Sequence, residues 1–109
     1  MQISVHINEA GLGESLRSYL ERRLRFALAR FRDRVGLITV RLSAEGRGRT
    51  RCRVIAEMIP FGRIIAEETR PDLFAAVDCA TAMLSRRFGR QLDRERDSSF
   101  GRESVRLAA

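Results

Sequence analysis

The 109-residue sequence predicts one α+β domain of the order β-α-β-β-β-α, a four-stranded sheet, antiparallel or mixed, with both helices on one face. Three observations carry this. Four segments alternate apolar and polar residues with period two, two longer segments repeat apolar residues at helical spacing, and the chain is too short for a second core.

Residues 2–8, QISVHIN, put Ile3, Val5 and Ile7 on one side and Gln2, Ser4, His6 and Asn8 on the other, as a half-buried strand requires. His6 is the only histidine, so neither a metal site nor a catalytic triad can be built around a second one; it reads as a surface residue. Asn8 to Gly13, NEAGLG, reads as a turn; its glycines lack the spacing of a phosphate-binding loop.

From Glu14 to about Arg32, Leu16, Leu20, Leu24, Ala27 and Phe31 form an apolar stripe with Leu28 at its edge. A second stripe gathers Tyr19, Arg22, Arg23, Phe26 and Arg30. Guanidinium groups interleaved with aromatic rings suit RNA, where charge meets phosphate and rings stack on exposed bases, which makes Tyr19 and Phe26 candidate stacking residues. The alternative is that the two rings only widen the apolar face and the arginines are solvated.

Val35 to Ser43 alternates with Ile38, Val40 and Leu42 on one face, and Arg49 to Met58 with Cys52, Val54, Ala56 and Met58. The glycine-containing AEGRGR between them predicts an antiparallel hairpin. On the opposite face Arg41, Arg49, Arg51 and Arg53 form a ladder of like charge, unfavourable unless solvent or an anion screens it. A secondary binding face and a solvated sheet surface both fit. Arg63 to Thr69 is a short strand of ambiguous register: if Ile64 and Ala66 point inward, so does Glu68, which then needs a partner or a strand end.

Pro71 to Arg96 reads as the second helix, with Leu73, Val77, Ala80, Leu84 and Phe88 on its core face and Arg87, Arg90 and Arg94, with Arg86 beside them, turned outward. Gly89 interrupts it at a cost of about 1 kcal/mol relative to alanine. After Arg96 the apolar period stops, and residues 97–109 read as a disordered tail outside the 1–96 domain.

Charge narrows the function. Twenty-one basic residues against 14 acidic ones give +7, which points to a polyanionic partner. All the basic residues are arginines, which bind phosphate bidentately and stack on bases where lysine does not. Cys52 and Cys79 have apolar surroundings and no metal-ligand spacing, so they read as small buried thiols of a reducing cytosol. No signal peptide or membrane span is recognisable. With no nucleophile motif and with Asp72 and Asp78 explained by helix-end electrostatics, the chain reads as neither an enzyme nor a metal or cofactor binder.

Several segments make a more specific resemblance: MQISVHI, then SLRSYLERRL closing in ARF, VRLS, IAEE, DLFAAVD and RRFGRQLDR. Together they resemble the ribosome hibernation-promoting factor family over about residues 1–96, with DLFAAVD at 72–78 the most telling. The resemblance implies a fold like a double-stranded RNA-binding domain. It also implies a cytoplasmic translation inhibitor that occupies the messenger and transfer RNA channel of the small ribosomal subunit, contacts rRNA, stabilises idle ribosomes under stress, and uses no small-molecule substrate or membrane.

Family contacts carry over to Arg17, Arg22 and Arg23 in the first helix and to Arg86, Arg87, Arg90 and Arg94 in the second. The chain departs from the family pattern at Gly13, Phe26, Ala29, Met83 and Gly89. The long family form carries an added domain that pairs ribosomes; these 109 residues have no counterpart, so the expectation is occupancy without bridging. A weak homodimer is compatible with it.

Overall fold

The computed structural model describes residues 1–7 and 14–108, with side chains through residue 97. The turn expected at Asn8 to Gly13 lies outside the described residues. The elements are β1 (Gln2–Ile7), α1 (Glu14–Ala27), a 3-10 segment (Ala29–Arg34), β2 (Val35–Glu45), β3 (Arg49–Met58), β4 (Arg63–Arg70) and α2 (Leu73–Ala108). The strands line up in the order β1-β2-β3-β4. β1 runs parallel to β2, joined through α1, and the other pairs are antiparallel, so the sheet is mixed.

Alternation decides which face is covered. Val5, Ile38, Val40, Leu42, Cys52, Val54, Ala56 and Ala66 form one apolar surface, and Leu16, Leu20 and Leu24 of α1 close over it with Ala76, Val77, Ala80, Leu84 and Phe88 of α2. β2 contains an irregularity between Val35 and Ile38. It brings both residues to the buried side although their spacing is odd, the parity shift that a bulge produces. The hairpin turns through Gly46, Arg47 and Gly48, with Glu45 opposite Arg49. Gly48 has φ +72, a left-handed conformation that costs glycine little.

The ambiguous register of β4 is resolved by Ala66 pointing inward. Glu68 follows it inward at the strand end, where its side chain keeps 19% exposure and pairs with Arg70 at 3.2 Å. Glu68 thus has both a partner and a strand-end position, either of which its inward register called for.

Three helix boundaries differ from the sequence expectation. α1 ends at Ala27, and Phe31 is delivered to the core by the 3-10 segment instead of a fifth helical turn. α2 begins at Leu73, because Asp72 is the cap: its Oδ2 accepts the Ala75 amide at 3.2 Å. Pro71 therefore precedes the cap. At its far end α2 continues to Ala108, past the Arg96 boundary.

Gly89 does not interrupt α2. Phe31 and Phe88 stack with centroids 5.1 Å apart, and a Cβ on Gly89 would lie 3.4 Å from the Phe31 ring. That is the edge of ordinary van der Waals contact, so the ring packs directly against the glycine without excluding a methyl group. Contacts rise together along the two helices, Tyr19 with Asp78, Ala27 with Ser85, Phe31 with Phe88, so α1 and α2 run in the same direction.

Thr81 is buried on α2, and its hydroxyl has no hydrogen-bond partner among the described residues. A buried unmade bond costs stability that an apolar isostere recovers. Thr81→Val is expected to raise stability by about 1 kcal/mol in urea unfolding; a loss instead would show that the hydroxyl is satisfied.

Candidate nucleic-acid interface

The arginines singled out in the sequence divide into three groups by what they touch. The first is occupied in joining the helices. Arg23 reaches Asp78 with its Nε 3.1 Å from Oδ1, and the Tyr19 hydroxyl donates to the same oxygen at 2.6 Å. The Tyr19 ring also meets Phe74 edge-on at 5.0 Å. Tyr19 and Arg23 are thus already partnered inside the protein. Asp72 caps α2, Phe74 packs on Tyr19, Ala76 and Val77 enter the core, and Asp78 draws in α1, so each of these residues of DLFAAVD has a structural task.

The hydrogen bond to Asp78, with desolvation behind it, raises the Tyr19 pKa above its ordinary 10.0. Tyr19 is the only tyrosine, so phenolate absorbance titrates it alone. Its midpoint is expected above 10.0 and to fall back in Asp78→Ala; an unchanged midpoint would contradict the contact. The folded state holds this proton more firmly, so the associated stability is intact below pH 10 and is lost as pH rises through the folded midpoint.

The second group is the sheet ladder. Arg41 stands directly opposite Arg53, and carboxylates are interleaved with the ladder. Arg51 lies 3.2 Å from Glu45 and 3.1 Å from Glu67, and Glu67 also approaches Arg53 at 3.9 Å. Arg41 and Arg49 are exposed without an ion pair among the described residues. The screening that the ladder required is supplied for two of its four members from within the chain.

The third group is free of carboxylates among the described residues. On α1 it comprises Arg17 and Arg22, both exposed, Arg22 making only a long 3.4 Å contact to the Ser18 carbonyl. Arg30 is exposed and lies over the Phe31 ring at 4.6 Å, with its guanidinium beside Gly89 of α2. Phe26 is 81% exposed, the one aromatic of the α1 stripe open to solvent.

On α2 the group comprises Arg86, Arg90 and Arg94, all exposed, and Arg87, which donates to the Ile65 carbonyl on the outer edge of β4. Met83 is half-buried against the core, so that departure is a packing residue. Arg87, Arg90 and Arg94 meet Arg63, Ile64, Ile65 and Gln91 along a groove of about 300 Å³ between α2 and β4. Arg63 escaped the sequence reading because nothing local ties the first residue of an uncertain strand to a helix more than 20 positions later.

Cys52 is buried, and desolvation pushes its thiol up to about 12. Cys79 is half-buried and free. Among the described residues no cluster of His, Cys, Asp and Glu could hold a metal ion, and no helix is long and apolar enough to cross a membrane.

Fold and surface together define a small basic α+β domain with one covered sheet face and, among the described residues, a run of arginines on the helical side that make no ion pair. The chain belongs to the family described as sigma 54 modulation protein / S30EA ribosomal protein, whose model matches residues 3–96. It is similar to the N-terminal domain of Protein Y from Thermus thermophilus, at 27% identity and TM-score 0.71, over 83% of this chain and 98% of that one. A ribosomal subunit interface protein from Coxiella burnetii shares the fold, at 18% identity and TM-score 0.73, over 85% of this chain and 99% of that one. No curated protein matches the sequence.

Proposed function

We propose that the chain is a ribosome-associated translation inhibitor that binds rRNA of the small subunit in the messenger and transfer RNA channel and stabilises idle ribosomes under stress. It acts in the cytoplasm, by occupancy and without catalysis. Membership of the S30EA ribosomal protein family supports the partner. The observation that carries the choice of surface is the contrast in charge compensation: Arg51 and Arg53 on the sheet are paired with glutamates, while Arg86, Arg90 and Arg94 on α2 are not, among the described residues. A partner approaching the sheet must displace internal ion pairs; one approaching α2 meets open guanidinium groups. This disfavours the sheet as the contact of a non-ribosomal RNA or protein partner.

Binding carried by phosphate contacts weakens log-linearly with salt, with a slope of about −0.7 to −0.9 per phosphate neutralised. Sedimentation with purified small subunits between about 50 and 200 mM salt is expected to show such a fall. Failure to pellet even at the lowest salt would overturn the proposal.

A further inference from the structure

The groove between α2 and the outer edge of β4 joins part of the α2 surface to a strand-side arginine that no reading above uses. Arg63, Arg87, Arg90 and Arg94 converge there with the Gln91 amide, over a wall formed by Ile64 and Ile65. Among the described residues none of the four guanidinium groups is in ion-pair contact with a carboxylate. Glu57 is the cross-strand neighbour of Arg63 yet makes no ion pair with it, and Glu67 of β4 serves Arg51 and Arg53 instead. The same strand therefore supplies compensation to one side and none to the other.

Arg87 is also pre-positioned. Its bond to the Ile65 carbonyl uses one of the five N–H donors of a guanidinium and orients the rest, so less freedom is lost when a ligand arrives. Arginine forks match the paired oxygens of phosphate. Four of them with an amide carry more positive charge than one carboxylate or one phosphate can balance, and suit two or more phosphates in succession.

We propose that this groove binds a phosphate-dense anion, a run of at least two phosphates, supplied by free oligophosphate or by the backbone of single-stranded RNA. Arg63 is its strand-side ligand. Arg90 and Arg94 also belong to the surface assigned above to rRNA. Resting on that reading, a free oligophosphate in the groove competes with the ribosome for these two side chains.

The test titrates the intact chain at low salt with inorganic tripolyphosphate, orthophosphate and a uridylate hexamer, followed by amide NMR shifts. Tripolyphosphate or the hexamer is expected to bind on the order of tenfold tighter than orthophosphate, with shifts centred on residues 63–65 and 87–94. The exposed variants Arg63→Gln and Arg94→Gln are each expected to weaken binding about fivefold, and Arg49→Gln on the sheet less than about twofold. Binding of tripolyphosphate alone identifies free oligophosphate as the source, and binding of the hexamer alone identifies RNA. No binding of either, or an equal loss in Arg49→Gln, overturns the site. Sedimentation of the wild-type chain with small subunits is scored separately, so a failed groove and a failed ribosomal reading give different patterns.

Discussion

Neutralising Arg86, Arg90 and Arg94 to glutamine is expected to lower affinity for the small ribosomal subunit on the order of a hundredfold near 0.1 M salt, and to flatten the salt slope by about two to three. The same change at Arg49, Arg51 and Arg53 is expected to cost less than about tenfold, because Arg51 and Arg53 already spend their charge on Glu45 and Glu67. Co-sedimentation of the two triple variants, at matched salt, measures the ranking. The reverse order would move the interface to the sheet. Glutamine is preferred to glutamate because a new carboxylate beside Glu67 would repel it and confuse loss of binding with loss of fold. The α2 set lies on exposed positions, so its melting temperature should stay near that of the unmodified chain.

Phe88→Ala is expected to remove about 3–5 kcal/mol of stability, a large share of what a domain of this size possesses. Phe88 is fully buried and stacks on Phe31, so truncation leaves a cavity where α2, the 3-10 segment and the sheet meet. Thermal unfolding should shift down by on the order of 15 °C. A double-mutant cycle with Phe31→Ala isolates the ring pair, for which a coupling of about 0.5–1.5 kcal/mol is expected. Additive losses would mean that the rings act only as separate apolar volumes.

The parts of this molecule set by local periodicity were legible in its sequence. Leu16, Leu20 and Leu24 at helical spacing, and Ile38, Val40, Cys52 and Val54 at alternating spacing, take the buried positions assigned to them. Phe31 shows where periodicity misleads: it sits at the right spacing for another turn of α1, yet a 3-10 segment carries it to the same core. Gly89 is another: it reads as a break, yet α2 runs through it with the Phe31 ring, 58 positions away, packed beside it.

The surroundings of the candidate site were less legible for the same reason. Tyr19 and Arg23 have the composition of an RNA-facing stripe, but Asp78, brought alongside by tertiary packing, takes both. The arginine ladder was recognised as needing screening; its screen, Glu67, belongs to the strand whose register was ambiguous. Charge type is visible in one dimension, but charge compensation is visible only in three.

Arg87 adds a consequence beyond binding. β4 is an outer strand of the sheet, and the unpaired peptide groups of such a strand offer a template on which another extended chain can add. The Arg87 guanidinium occupies the Ile65 carbonyl on that margin and places a positive charge beside it. An incoming strand would have to break that bond and bury the charge. Addition of a strand at that position therefore costs more than it would beside an unoccupied carbonyl.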